Sequence, residues 1–171
     1  MQTAPPERIR ILFVTPNLGV GGAERHIATL APALDRARFD VRVCCIKERG
    51  PLFDAAVAAG VGCLSLDSSM RQAPWALLRL VRIMRAFAPH IVITRGLNSD
   101  ILGRIAGAIT RVPAIVVWKH NTGHLERGWL ESASERLLDP VTTRYFAVAH
   151  GQVPYLTDEL GWPRDKIRVI H

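Results

Sequence analysis

Hydrophobic residues along the chain alternate between short, nearly continuous apolar runs and longer stretches with helical spacing. The first run, IRILFV at 9–14, is apolar at almost every position, which is typical of a strand buried on both faces. The next stretch places Ile27, Leu30, Ala31 and Leu34 at the i, i+3, i+4 and i+7 positions of one helix face. The chain therefore opens with a predicted strand followed by a predicted helix.

The same alternation continues to the end of the chain. Further strands are predicted at 39–46, 63–66, 91–94, 114–118, 145–148 and 166–170, and further helices at 51–59, 75–87, 99–109, a stretch ending near Leu138, and 154–160. Strands that alternate with helices form βαβ units with parallel strands. We therefore predict an α/β fold, a Rossmann-like doubly wound parallel sheet of about seven strands with helices on both faces.

Polar residues, prolines and glycines mark the boundaries of these elements. Asn98 or Ser99 is predicted to cap the helix at 99–109, and Gly161 to end the helix at 154–160. Pro32 lacks a backbone donor and should kink the last turn of the first helix. Residues 1–8 are interpreted as a disordered lead-in without a signal-peptide pattern, and residues 9–171 as one domain.

The composition indicates a positive net charge and a reducing cellular compartment. The 171 residues are 49% hydrophobic and 22% charged, as in ordinary globular proteins, and the net charge of +7 favours an anionic ligand or an acidic membrane surface. The arginines are spread along the chain without a nucleic-acid-binding motif, so no nucleic-acid partner is expected. Cys44 and Cys45 should point to opposite faces of a strand, and with Cys63 they are predicted to be reduced, as in the cytoplasm.

A glycine-rich segment, GVGGAERH at 19–26, lies between the first predicted strand and the first predicted helix. Ligands of open parallel sheets bind beyond the carboxyl ends of the strands, and helix N-termini bind anions. Gly21 and Gly22 would let a phosphate approach the backbone, while Glu24 suits either the helix dipole or a sugar hydroxyl. The spacing is not the dinucleotide fingerprint GxGxxG, and a flexible turn is the alternative.

Two more polar segments follow predicted strands at the same edge of the sheet. His120, Asn121 and His124 follow the strand at 114–118, and Arg95 and Asn98 follow the strand at 91–94. We interpret all five as candidate substrate contacts, with a surface loop and a capped helix start as the alternatives. Two histidines without nearby cysteine or aspartate are too few for a metal site, so no metal is expected.

The predicted helix at 75–87, WALLRLVRIMRAF, is amphipathic and basic. Its apolar side carries Leu77, Leu80, Val81, Met84 and Phe87. Its other side carries Trp75, Arg79, Arg82 and Arg85, which are candidate contacts for anionic lipid headgroups. A solvated helix face is the alternative.

The segment GVGGAERHIATLAPAL resembles the first glycine-rich loop and helix of the retaining family-4 glycosyltransferases, which have the GT-B fold. IVIT with RGLNSD, AIVVWKH and the segment from Tyr145 to His171 are also similar to that family, so the resemblance covers about 9–171. Two features depart from the pattern. Ala149-His150 replaces a serine-containing motif, which puts a contact there in doubt, and Pro32 interrupts a usually smooth helix.

The resemblance implies a two-domain enzyme of which this chain is the N-terminal, acceptor-binding domain. The C-terminal domain, which holds most of the nucleotide-sugar site, is expected to be missing from this chain, so turnover in isolation is not expected. Gly21 and Gly22 would approach the donor diphosphate, and His120 would be the catalytic-site residue at the donor sugar or acceptor. The resemblance further implies a nucleotide sugar as substrate, no metal or cofactor, and a cytoplasmic enzyme at the inner face of the membrane with a lipid-linked acceptor.

Two alternatives of other classes stay open. One is the nucleotide- or dinucleotide-binding domain of an oxidoreductase, in which Glu48 after the second strand would meet a ribose. The other is a non-catalytic module that docks on membranes or partners through the basic face at 79–85. No pattern in the sequence assigns a role to His26 or His150.

Overall fold

A computed structural model describes residues 7–120 and 129–170. Its strands are β1 Ile9–Thr15, β2 Phe39–Cys45, β3 Gly62–Ser65, β4 Ile91–Thr94, β5 Ala114–Lys119, β6 Arg144–Ala147 and β7 Ile167–Val169. Its α-helices are α1 Gly22–Ala33, α2 Phe53–Ala58, α3 Ala73–Phe87, α4 Leu97–Ile109 and α5 Trp129–Leu138. Residues 1–6 of the predicted lead-in, Asn121, His124 and His171 lie outside the described residues.

The strands form one parallel sheet in the order β3-β2-β1-β4-β5-β6-β7, which confirms the predicted fold class. The central strands β1 and β5 are mostly buried because helices cover both sides of the sheet, whereas the edge strands β3 and β7 are partly exposed. Leu12, Val14 and Cys44 pack with α3 and α4 on one face, whereas Phe13 and Cys45 pack with α1 and α2 on the other. The adjacent cysteines therefore point to opposite faces, as predicted.

All three cysteines are free thiols. Burial raises the pKa of Cys44 and of Cys45 to about 12, so both stay protonated at neutral pH. They pack as small apolar side chains, in agreement with the structural role that the sequence predicted.

The winding of the sheet reverses between β1 and β4. The chain runs outward from β1 through β2 to β3, returns to β4 beside β1, and then runs outward on the other side to β7. In such sheets the crevice at the carboxyl ends of the two strands at the reversal is the usual ligand site. Here the glycine-rich loop follows β1 and Arg95 follows β4.

The start of α4 differs from the prediction. The helix begins at Leu97 and its N-cap is Gly96, so the prediction that Asn98 or Ser99 caps it was wrong. Gly96 has φ +86°, and a Cβ there would lie 2.8 Å from Pro16 Cγ. Only glycine lets the loops after β1 and β4 come this close. With Gly96 as its N-cap, the helix begins two residues earlier than predicted. Ser99 is instead fully buried inside the first turn.

The other predicted helices are present, with bounds that differ by a few residues. Pro32 lies in the last turn of α1, which ends one residue later at Ala33. The helix predicted at 154–160 is a single turn of π-helix at Tyr155–Glu159, in which the Leu160 N–H donates to the Tyr155 carbonyl over 3.1 Å. Gly161, at φ +66°, ends that turn as predicted. In the part of the chain that is described, no helix has both the length and the apolar content to cross a membrane.

Candidate functional site at the carboxyl edge of the sheet

The glycine-rich loop delivers an open helix N-terminus to the carboxyl edge of the sheet. Gly21 is extended (φ −67°, ψ 164°) and its carbonyl accepts the first α1 hydrogen bond, from the Arg25 N–H over 3.0 Å. Glycine has no side chain that could accept hydrogen bonds from the free N–H groups of the first helical turn. A Cβ added at Gly22 would meet nothing within 4 Å, so solvent or a ligand can approach this turn. The arrangement suits an anion.

The loop is held by the connection between β2 and α2. The buried Leu18 donates its N–H to the Arg49 carbonyl, and its own carbonyl accepts the Leu52 N–H, both over 2.9 Å. Gly50 has φ +79°, and a Cβ there would lie 2.5 Å from the Leu18 carbonyl carbon. Glycine at this position is therefore required for the two loops to touch. Asn17 adds a third bond by donating its Nδ2–H to Glu48 over 2.5 Å.

Glu24 and Arg95 form an ion pair across the reversal of the sheet. The Arg95 Nη1 lies 2.7 Å from Glu24 Oε1, and both side chains are largely buried, at 18% and 14% exposed. The pair joins the first turn of α1 to the end of β4. A Cβ at Gly21 would overlap the Glu24 carboxylate, so Gly21 also makes room for this pair. Arg95, a predicted phosphate contact, is thus already engaged by Glu24.

His120 lies at the same edge, directly after β5, and packs against Trp118 with 4.5 Å between the ring centroids. Neither ring nitrogen has a hydrogen-bond partner among the described residues, although both atoms are buried. Burial, followed by the positive charges of Arg95 and His26, lowers the pKa of His120 to about 4, which the Trp118 backbone and the Glu24 carboxylate oppose. His120 is therefore a neutral imidazole at pH 7, with free capacity to donate and accept one hydrogen bond each.

His26, to which the sequence assigned no role, belongs to the same cluster. Its ring lies 4.6 Å from Trp118 and 5.8 Å from His120, edge-on to the latter. Trp118 and His120 are two residues apart, which places them on one face of the sheet, the face that α1 covers. This two-residue spacing is the sequence signal that could have predicted the contact between Trp118 and His120. It could not identify His26, because which turn of α1 reaches β5 depends on the order of the strands.

A wide crevice opens at the same edge beyond β2 and β3. It has a volume of about 440 Å³ and is lined by Lys47, Glu48, Asp67, Ser68 and Ser69. Asn98, a predicted substrate contact, instead lines a much narrower crevice of about 10 Å³ together with Lys47 and Ser69. Asn98 is therefore on the β2 and β3 side of the reversal, whereas His120 is on the β5 side.

A buried charged cluster lies below this edge, between α4 and α5. Arg104 is fully buried and its Nη1 lies 3.0 Å from Glu135 Oε2, which also accepts the Trp162 Nε1–H over 3.1 Å. Asp100, 2% exposed, adds a second carboxyl group to the cluster. Burial and the nearby Glu135 raise the pKa of Asp100 to about 6. The spacing of apolar residues along α4 and α5 did not predict this charged cluster.

The outer face of α3 is partly as predicted. Trp75 is 69% and Leu78 48% exposed, and Arg82 and Arg85 are exposed beside them. Arg79 differs, because its Nη1 donates to the Leu66 carbonyl over 2.6 Å and so ties α3 to the end of β3. Arg79 is nevertheless exposed, and its contact with membranes stays a prediction.

Among residues 7–120 and 129–170, no group of three or more histidine, cysteine or acidic side chains is placed to hold a metal ion. The described part of the edge therefore offers backbone amides, an ion pair and a neutral imidazole. Such groups bind and orient a polar, anionic ligand.

Comparison with solved structures shows the same fold in proteins that include a glycosyltransferase and a UDP-GlcNAc 2-epimerase. The chain is similar to Anabaena Alr3699/HepE in complex with UDP (TM-score 0.74, 15% identity, 95% of this chain and 44% of that one). It is similar to a glycosyltransferase from Rickettsia africae (TM-score 0.74, 16% identity, 96% and 43%). It is also similar to UDP-GlcNAc 2-epimerase from Neisseria meningitidis bound to UDP-GlcNAc (TM-score 0.68, 16% identity, 94% and 45%). The chain spans less than half the length of each of these proteins.

A search of curated proteins found no match. The model of Glycosyltransferase Family 4, in contrast, matches residues 20–171, which includes all but the first residue of the glycine-rich segment and every element from α1 onward. The chain therefore belongs to glycosyltransferase family 4, and its Rossmann-like sheet is the fold that it shares with these structures.

Proposed function

We propose that this chain is the acceptor-side half of a retaining glycosyltransferase that transfers a sugar from a uridine diphosphate sugar to an acceptor hydroxyl. The observation that carries the proposal is the uncapped N-terminus of α1 at the reversal of the sheet, with the neutral His120 on the same edge. UDP in the structure of HepE and UDP-GlcNAc in that of the Neisseria epimerase support the choice of nucleotide.

The proposed roles follow from the chemistry of these groups. Negative charge builds on the diphosphate as its bond to the anomeric carbon breaks, and the backbone at Gly21 and Gly22 with the α1 dipole would stabilise it. A neutral His120 would hydrogen-bond a hydroxyl group of the donor sugar or the acceptor. Asn121 and His124 are proposed as further substrate contacts. No metal or cofactor is needed for these roles.

The acceptor would occupy the crevice beyond β2 and β3. Carboxylates, hydroxyls and an amine line it, and such groups bind the hydroxyls of a sugar or polyol by hydrogen bonds. The bond between Asn17 and Glu48 connects this crevice to the glycine-rich loop, where the transferred sugar would arrive. Donor and acceptor would thus meet at the reversal of the sheet, beside the Glu24–Arg95 pair.

The test is a transfer assay on the full-length protein with a panel of UDP-sugars and sugar or lipid-linked acceptors. We expect UDP release together with a product that keeps the anomeric configuration of the donor. His120→Ala should lower kcat/KM on the order of a hundredfold, whereas Thr29→Ala, an exposed change on α1, should not. A product of inverted configuration would contradict the retaining mechanism. Conversion of UDP-GlcNAc to its 2-epimer without transfer would contradict the proposal as a whole.

Contact with the inner face of the cytoplasmic membrane is a second proposal, favoured by the exposure of Trp75 and Leu78 beside Arg82 and Arg85. An exposed indole among arginines suits an anionic lipid surface. It would bring the enzyme to a lipid-linked acceptor.

Co-sedimentation with phosphatidylglycerol-containing vesicles tests this contact. Arg82→Glu with Arg85→Glu should abolish binding, and the charge-matched pair Arg136→Glu with Arg164→Glu should weaken it only slightly. An equal loss in both pairs would show that net charge alone binds the vesicles, and no loss in the first pair would remove α3 from the contact.

A further inference from the structure

The contacts of His26 extend the site by one residue, and the argument rests on the role proposed above for His120. His26 is on the outer side of α1, one helical turn or about 6 Å along the axis from Gly22. His26 is exposed at the edge of the sheet, and its ring contacts the rings of Trp118 and His120.

The three rings form a closed triangle. Trp118 is 3% exposed and contacts His26 at 4.6 Å and His120 at 4.5 Å, while the two imidazoles meet edge to face at 5.8 Å and 81°. Tilted and edge-to-face ring pairs at such distances attract each other beyond their area burial. His120 directly follows β5 at the edge of the sheet. Neither of its ring nitrogens has a side-chain hydrogen-bond partner among the described residues. The described contacts that can orient this ring are its packing against Trp118 and His26.

We propose that His26 is a positioning residue. Together with Trp118 it holds the His120 imidazole in one orientation, in which a ring nitrogen meets a substrate hydroxyl. Removing the His26 ring would open one side of His120 to water and let the imidazole rotate. The Trp118 contact alone leaves the ring free to turn about its side-chain bonds. His26 thus acts on substrates through His120.

Three titratable or charged groups face His120 in the described structure, namely Arg95 from the end of β4 and Glu24 and His26 from α1. A positive charge on His26 would lower the pKa of His120, and the proposed shielding by the His26 ring would lower it as well. One substitution can separate the two effects. His26→Phe removes the charge but keeps an aromatic ring of similar width. His26→Ala removes both, and Thr29→Ala, one turn further along the exposed side of α1, is the matched control for helix propensity.

The experiment follows the imidazole C–H resonances of this chain by NMR as a function of pH, with assignment from single histidine variants. In the wild type and in Thr29→Ala we expect His120 to titrate near pH 4. In His26→Ala the midpoint should rise by at least about one pH unit because water reaches the ring. In His26→Phe it should stay within about half a unit of the wild type, because the shield is retained.

Two results would overturn the proposal. An unchanged His120 midpoint in His26→Ala would show that His26 neither shields nor orients the ring. Equal rises in the alanine and phenylalanine variants would show that only the charge of His26 matters. Circular dichroism of each variant reports whether it folds. Because the titration needs no substrate, its outcome is independent of whether the full-length protein transfers a sugar.

If the full-length protein transfers a sugar, kinetics give a second readout. His26→Ala should lower kcat roughly tenfold with little change in the donor KM, because orientation is lost and binding is not. His26→Phe should restore most of the rate. A failed rescue would contradict positioning by the ring.

Discussion

A single methyl group at Gly21 would reach the Glu24 carboxylate, so this residue links the open helix N-terminus to the ion pair beside it. The added atom would meet the far end of a flexible side chain and not the backbone. The expected consequence is local, because Glu24 can move while the loop keeps its shape. At the residue scale, therefore, function should be more sensitive than stability at this position.

Gly21→Ala in the full-length protein is expected to weaken UDP binding roughly tenfold, or about 1.4 kcal/mol, because the displaced carboxylate disturbs the diphosphate approach. The backbone angles of Gly21 suit alanine, so the thermal midpoint should hardly change. Isothermal titration calorimetry with UDP measures the effect. Gly151→Ala is the control, since a Cβ there meets nothing within 4 Å. Equal affinities in the two variants would refute the expectation.

Asp100 predicts a pH dependence of stability. Its pKa is about 6 in the folded protein against an ordinary value of 3.8, so the folded state holds the proton more tightly. The resulting stabilisation is complete below pH 3.8 and is lost as the pH rises through 6, by up to roughly 3 kcal/mol. Asp100→Asn lacks this titration. Its stability relative to the wild type, from urea unfolding, should therefore improve between pH 4.5 and pH 7.5, and a constant difference would contradict this account.

At the scale of elements, α4 and α5 are joined through the buried pair of Arg104 and Glu135. The same Glu135 oxygen also accepts from Trp162, which follows the π-helical turn. One carboxylate thus connects three segments on one side of the sheet. A buried pair of this kind is costly to break by removing one partner, since an uncompensated charge stays behind.

Arg104→Met should cost about 3–5 kcal/mol of unfolding free energy, because the Glu135 carboxylate stays buried without its cation. Adding Glu135→Gln removes that charge and keeps an acceptor for Trp162, so the double variant should recover much of the loss. Urea unfolding measures both, with Arg136→Met on the exposed side of α5 as the control. A double variant no more stable than Arg104→Met would contradict the charge argument.

At the scale of the whole molecule, the domain presents one functional edge and spans less than half of the similar enzymes. The glycine-rich loop, the Glu24–Arg95 pair, His120 and the wide crevice all lie at the carboxyl edge of one sheet. A site on a single surface surrounds a donor on one side only. We propose that a second domain supplies the other side.

The isolated 171-residue chain is accordingly expected to show no sugar transfer under conditions in which the full-length protein turns over. Radiolabelled UDP-sugar and a working acceptor give the required sensitivity, and the full-length His120→Ala variant provides the reference for impaired chemistry. Robust transfer by the isolated chain would mean that its own edge is a sufficient active site.

The alternation of apolar runs and helical spacing was enough to predict the sheet, its parallel strands and its two covered faces. β4 was predicted with the bounds that it has, and Cys44 and Cys45 point to opposite faces as their spacing requires. These features depend on backbone periodicity and on burial, both of which are local properties of a sequence. The predicted strand ends placed Gly21, Gly22 and His120 at one edge for the same reason.

Contacts between distant residues were decided only by the tertiary structure. Glu24 and Arg95 are 71 residues apart, and they pair because β4 lies beside β1 in the sheet. The same strand order brings His26 to His120 and diverts Arg79 to a backbone carbonyl. Strand order is set by the packing of the whole core and leaves no periodic trace around any one residue. The sequence by itself therefore determined the fold and the functional edge, and the partners within that edge came from the packing.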